Sequence, residues 1–66
     1  MSPERFGMRL KELRERRGLT QEKLAKLAGV SRAYLSRMEM GLHDPPLSRL
    51  RALAKALKAK VADLVD

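Results

Sequence analysis

Cysteine is absent from this 66-residue chain, which removes disulfides, thiolate zinc sites and cysteine nucleophiles together. A single histidine, His43, cannot assemble a histidine metal site, so neither a metal nor another cofactor is expected. Tryptophan, isoleucine and asparagine are missing, and aromatic residues make up only 3% of the chain. The β-branched residues reduce to Val30, Val61, Val65 and Thr20, too few to build a sheet. No run approaches the ~20 apolar residues of a membrane span. Met1 to Leu10 carry Glu4, Arg5 and Arg9 where a signal peptide would need an apolar core. What remains is an all-α protein, one domain over residues 1–66, expected in the cytoplasm and too small for an ordinary enzyme. A chain of this size buries only about 60% of its unfolded surface, so its core is marginal.

Acidic residues are scarce: eight Asp and Glu stand against fifteen Lys and Arg, a formal charge of +7. Such a balance attracts a polyanion, either nucleic acid or an anionic membrane surface. A solvated basic surface is the plainer reading of the same charge.

Breaks fall at Gly18, Gly29, Gly41 and the Asp44–Pro45–Pro46 cluster, and between them apolar residues recur at helical spacing. Ser2, Pro3 and Glu4 suit a helix N-terminus. Phe6, Leu10 and Leu13 then share one face, and Arg16, Arg17 and Gly18 form an end, giving a first helix over about residues 3–17. A second helix follows the cap Thr20, buries Leu24, Ala25, Leu27 and Ala28, and stops at Gly29. A third begins at Ser31 and runs to Met38 or Met40 with Leu35 and Met38 inward. A fourth starts near Pro46 and buries Leu47, Leu50, Leu53, Ala54 and Leu57. A short fifth carries Val61, Leu64 and Val65.

The stretch from Gln21 to Met40 solves a particular packing problem. Two helices joined by a very short turn cross steeply with their axes close together. Close approach needs a small residue at the crossing, and Ala25 supplies it. The turn needs a residue tolerant of positive φ, and Gly29 follows four positions later. Leu24, Ala28, Val30, Leu35 and Met38 brace the pair from beneath. The outer face of the third helix reads Ser31, Arg32, Ala33, Ser36 and Arg37, small, polar or basic throughout. The spacing predicts a helix-turn-helix over about residues 21–40.

On these residues the chain resembles the phage-repressor-like, Xre-type helix-turn-helix family. The resemblance runs from about Phe6 to Val65. It rests on Leu10-x-x-Leu13-Arg14-x-x-Arg17-Gly18-Leu19-Thr20-Gln21-x-x-Leu24-Ala25, on Ala28-Gly29-Val30-Ser31, on Leu35-Ser36-Arg37-Met38-Glu39-x-Gly41, and on Leu50-x-x-Leu53-Ala54-Lys55-Ala56-Leu57. It implies a compact five-helix, lambda-repressor-like domain that docks its third helix in the major groove of double-stranded DNA, commonly as a homodimer on a palindromic operator. It also implies a transcriptional regulator of prokaryotic or phage origin, associated with the nucleoid. The family's base-reading positions hold Arg32, Ala33 and Arg37. Chemically, an Arg fork can bond O6 and N7 of guanine, and the Ala33 methyl can pack on a thymine methyl. Neutralising phosphate is the alternative for either arginine.

Gln21 stands where the family keeps a glutamine. Its amide can donate to a phosphate or brace the side chain at the start of the third helix. It is the only glutamine in the chain. Ser31 is expected to cap the third helix and touch phosphate, with Tyr34 and Ser36 as further backbone contacts; Tyr34 can instead half-bury its ring. For Arg14 and Glu39 the resemblance implies a partly buried ion pair joining the first helix to the end of the third.

Three positions depart from the family pattern. Met40 precedes Gly41 where a polar residue is usual, and Leu42, His43 and Asp44 replace a basic loop. Part of the phosphate clamp would then pass to Arg9, Lys11, Arg14 or Lys23. Met40 and Leu42 can alternatively form an apolar patch for dimer contact, or be two scattered surface residues. His43 is expected as a solvated loop residue. Lys58 occupies the place of a helix-closing glycine, so the turn is either strained or differently connected.

The leading expectation is a sequence-specific DNA-binding regulator, with a homodimer supported by Val61, Leu64 and Val65 unless these only complete the monomer core. No small-molecule ligand and no membrane partner are expected. Regulation would come from protein concentration, a partner, or a C-terminal region if the chain is a fragment. The alternative is a protein-interaction module of the same fold using Met40 and Leu42. A membrane-surface helix is disfavoured, because the apolar residues are spread over five short helices.

Overall fold

Each of the first three helices begins at a hydroxyl. Ser2 Oγ accepts from the Arg5 amide at 3.1 Å, Thr20 Oγ1 from Lys23 at 3.1 Å, and Ser31 Oγ from Tyr34 at 3.0 Å. In the computed structural model, which describes residues 2–65, the helices are α1 (Pro3–Arg16), α2 (Gln21–Ala28), α3 (Arg32–Glu39), α4 (Leu47–Ala56) and α5 (Val61–Val65). These match the sequence expectation in number and order, and their ends agree to within about two residues. Met1 lies outside the described residues. Among the described residues no helix is long and apolar enough to cross a membrane.

The helix ends follow one scheme. After α1, Gly18 takes φ +68° while Leu19 N–H donates to Arg14 C=O at 3.1 Å. After α2, Gly29 takes φ +72° and Val30 N–H donates to Ala25 C=O at 3.0 Å. After α3, Gly41 takes φ +80° and Leu42 N–H donates to Arg37 C=O at 3.0 Å. Each is a left-handed stop that satisfies carbonyls the helix leaves open. After α4 the same turn is made by Lys58 at φ +53°, with Ala59 N–H donating to Ala54 C=O at 2.8 Å. The turn is therefore of the family's kind, and its strain falls on a lysine. Arg17 Nη2 donates to the Lys58 carbonyl at 3.0 Å and holds the turn from α1.

The core collects Phe6 and Leu10 from α1, Leu24 from α2, Leu35 and Met38 from α3, Leu53 from α4, Leu57 just beyond it, and Leu64 from α5. Helix α1 packs on α3 and α5, α2 on α3 and α4, and α4 on α5. Two expected core residues lie outside. Leu27 is 62% exposed, because the buried stripe of α2 runs through Leu24, Ala25 and Ala28 and leaves Leu27 beyond its edge. Leu47 is 52% exposed, since it opens α4 ahead of the turns that reach the core. Leu64 is fully enclosed, and Val61 and Val65 pack against the same cluster. Leu64 thus completes the monomer core, and Val61 and Val65 keep part of their surface open.

Gly7 is a residue the sequence reading passed over. It lies mid-helix in α1, where a Cβ would meet the Met38 and Glu39 carbonyl oxygens at 2.6 and 2.7 Å. The missing side chain lets α1 rest directly on the backbone at the end of α3. That approach frames a polar cluster. Arg14 Nε donates to Glu39 Oε2 at 2.6 Å, and Arg14 Nη2 and Gln21 Nε2 both donate to Glu39 Oε1, at 3.1 and 3.0 Å. Arg14 Nη1 caps the Leu19 carbonyl at 2.8 Å. The pair is largely shielded, with side-chain exposures of 11% for Arg14 and 4% for Glu39. Hydrogen bonding to Glu39, opposed by burial and assisted by its charge, holds the Arg14 guanidinium above its ordinary pKa. A cation whose folded value is raised contributes fully below the unfolded value and loses its contribution only at extreme alkali.

Glu39→Gln is expected to destabilise the protein by roughly 3 kcal/mol, because it leaves Arg14 buried without its counter-charge. The whole stability of a chain this size is about 3–10 kcal/mol. Urea unfolding checks it, and a loss below about 0.5 kcal/mol would place the pair with weak surface bridges. Lys58→Gly is expected to raise the melting temperature by a few degrees. It relieves roughly 1 kcal/mol of left-handed strain, partly offset by glycine's freedom in the unfolded chain.

Candidate nucleic-acid interface

The core contacts of α3 lie on one side of it. Leu35 and Met38 enter the core, Glu39 is held by Arg14 and Gln21, and Ala25, only 3% exposed, lies in the core of the helix pair. The turn between the two helices is Gly29, Val30 and Ser31. The opposite side of α3 is open: Ser31, Arg32, Ala33 and Arg37 are exposed, with Ser36 half-buried at its edge. An α-helix with its side chains is about 10–12 Å across, and the major groove of B-DNA is about 12 Å wide. Among the described residues neither Arg32 nor Arg37 makes an ion pair, so both charges are available to an anion.

The N-terminus of α2 adds to this face. Lys23 is exposed there, and a shallow cleft is lined by Arg14, Thr20, Gln21, Glu22 and Arg32. Gln21 reaches a different partner from the one expected. Its amide nitrogen donates to Glu39 at the far end of α3, because the two helices cross with the start of α2 beside the end of α3. One amide N–H of Gln21 remains beyond that bond. Arg14 is turned inward, with three guanidinium nitrogens bound to Glu39 and the Leu19 carbonyl. That placement makes it a brace for α3 and leaves it little to offer a phosphate.

His43 is the largest departure from the sequence reading, which had it solvated. Gly41 turns the chain back along α3, where a Cβ would meet Glu4 Cα at 2.9 Å, and Pro45 is buried beyond it. Between these two anchors the His43 ring is half-buried. Arg37 Nε donates to His43 Nε2 at 3.2 Å. The His43 and Tyr34 rings meet edge to face at 5.2 Å and 60°, and the Arg49 guanidinium carbon lies 5.8 Å from the Tyr34 ring centre. Tyr34 is thus half-buried between a histidine and a cation, an arrangement worth about 0.5–1 kcal/mol per contact. No sequence signal marks His43 or Arg49, since their contacts form only when the loop and α4 fold against α3. Met40 and Leu42, beside this loop, stay 67% and 59% exposed.

The helix-turn-helix domain family matches residues 5–66 of the chain. The immunity repressor protein of Bacillus phage phi105 is 44% identical over 59 residues, covering 89% of this chain and 41% of that protein. An uncharacterised HTH-type transcriptional regulator of Archaeoglobus fulgidus is 38% identical over 56 residues, covering 85% of this chain and 80% of its own length. The chain therefore spans less than half of the phage protein and most of the archaeal one. Among solved structures, the restriction-modification controller protein C.AhdI from Aeromonas hydrophila superposes with a TM-score of 0.91 at 40% identity, covering 94% of both chains. The DNA-binding domain of the P22 C2 repressor gives 0.90 at 31% identity, covering 98% of this chain and 86% of that one. With five helices in this order and α2 joined to α3 through the left-handed Gly29, the chain belongs to the phage-repressor-like helix-turn-helix family.

Proposed function

We propose that this domain is a sequence-specific, double-stranded DNA-binding transcriptional regulator that places α3 in the major groove. The observation that carries this reading is the open face of α3. Arg32, Ala33 and Arg37 are exposed on a helix whose core residues, Leu35 and Met38, lie on the other side. The net charge of +7 supplies the long-range attraction. Membership of a family with phage repressors and transcriptional regulators agrees with it. In this reading Arg32 and Arg37 fork onto guanine, and Ala33 packs on a thymine methyl. Gln21, Ser31, Tyr34, Ser36 and Lys23 hold the sugar-phosphate backbone.

The finer reading is a homodimer on a palindromic operator. Leu64 is enclosed in the monomer core, and the half-buried Val61 and Val65 of α5 are one apolar surface open to a partner. Met40, Leu42 and Leu47 remain exposed in the segment that follows α3.

Selection of sites from random duplexes at two salt concentrations tests the reading. A palindrome with half-sites one helical turn apart, about 34–36 Å, is expected. Arg32→Ala and Arg37→Ala are each expected to relax preference at one position by about 1–3 kcal/mol, whereas Lys23→Ala weakens all sequences alike. No consensus, with affinity that collapses as salt rises, would reduce the binding to non-specific charge and turn attention to protein partners at Met40 and Leu42. Sedimentation is expected to show a dimer on the selected duplex; a monomer at micromolar concentration, free and on DNA, rules the dimer out.

A further inference from the structure

We propose that His43 is a positioning residue for Arg37, holding its guanidinium so that the outer edge faces the DNA. The inference rests on the DNA-binding reading above and adds a residue to it.

The bond is directional. Arg37 Nε is a donor only, so His43 Nε2, 3.2 Å away, must be the acceptor, with the ring proton on Nδ1. Using Nε leaves both terminal nitrogens of Arg37 without a hydrogen bond among the described residues, and these form the fork that matches O6 and N7 of guanine. A long exposed side chain otherwise samples many rotamers and loses that freedom on binding. The His43 ring is itself packed: it meets the Tyr34 ring edge to face at 5.2 Å, and Arg49 of α4 lies over Tyr34 at 5.8 Å. Gly41 and buried Pro45 set the loop that carries it. Among the described residues Arg32, five residues earlier, makes no side-chain hydrogen bond.

Two measurements test the proposal. The first needs no DNA: ring 15N shifts of the neutral form of the protein's single histidine. The expected form is protonated at Nδ1 and bare at Nε2, and Arg37→Ala is expected to shift the balance toward Nε2–H. A neutral ring protonated at Nε2 in the unaltered protein would overturn the proposal, whatever the protein does with DNA. The second is site selection from random duplexes with the unaltered protein and with His43→Ala. Discrimination at the half-site position lost in Arg37→Ala is expected to fall at least about fivefold in His43→Ala, the lower end of a forked contact, while the position read by Arg32 keeps its preference. Preference at the Arg37 position that is retained in His43→Ala would overturn the proposal. Failure of the unaltered protein to select any consensus would instead overturn the DNA-binding reading, and this proposal with it.

Discussion

The ion pair between Arg14 and Glu39 ties together the parts of the molecule that must not move. Glu39 closes α3, Arg14 comes from α1, and Gln21 adds the first residue of α2 to the same carboxylate. Arg14 also holds the Leu19 carbonyl, so the turn between α1 and α2 is fixed by the same guanidinium. A core of leucines specifies proximity but not orientation, because apolar contact is non-directional. A forked pair with an added amide specifies both. In a domain whose core is marginal by size, this cluster sets the angle at which the exposed face of α3 is presented.

Close backbone approach is the second constraint, and it is what lets that cluster form. Gly7 admits the end of α3 against α1, and Ala25 sits in the buried seam of α2. Gly7 contributes no apolar side chain; it matters through the atoms it lacks. The left-handed stops at Gly18, Gly29 and Gly41 then keep the connections short enough for every helix to reach the shared core. Lys58 makes the same stop without the glycine, and the carbonyl it presents is captured by Arg17. The local cost at that turn is set against a contact with α1.

Charge is arranged in two ways that the total of +7 conceals. Arg14 is folded inward and neutralised, and Arg9 binds Glu12 and the Asp63 carbonyl, joining α1 to α5. Arg32, Arg37 and Lys23 are left facing out. Arginines of similar sequence character therefore divide between architecture and recognition according to which carboxylate or carbonyl stands within reach. The Arg37–His43–Tyr34–Arg49 chain belongs to neither group alone. It joins the loop and α4 to the recognition face, so that face is shaped by more than the helix that carries it.

The sequence by itself determined the helices and their turns. Helical spacing of leucines, hydroxyl caps at Ser2, Thr20 and Ser31, and glycines at the stops are local rules, and they act on neighbours in the chain. The open face of α3 was legible for the same reason, as was the pairing of Arg14 with Glu39 through family resemblance. Tertiary structure decided what depends on distant neighbours. Leu27 lies outside the core because of how α2 lies against α3 and α4, and Leu64 lies inside because α5 closes on α1 and α4. Gln21 met Glu39 because of a crossing angle. His43 met Arg37 because a left-handed turn and a buried proline returned the loop to the helix it had just left. Spacing along a chain fixes which way a side chain points from its own helix; only packing fixes what it meets there.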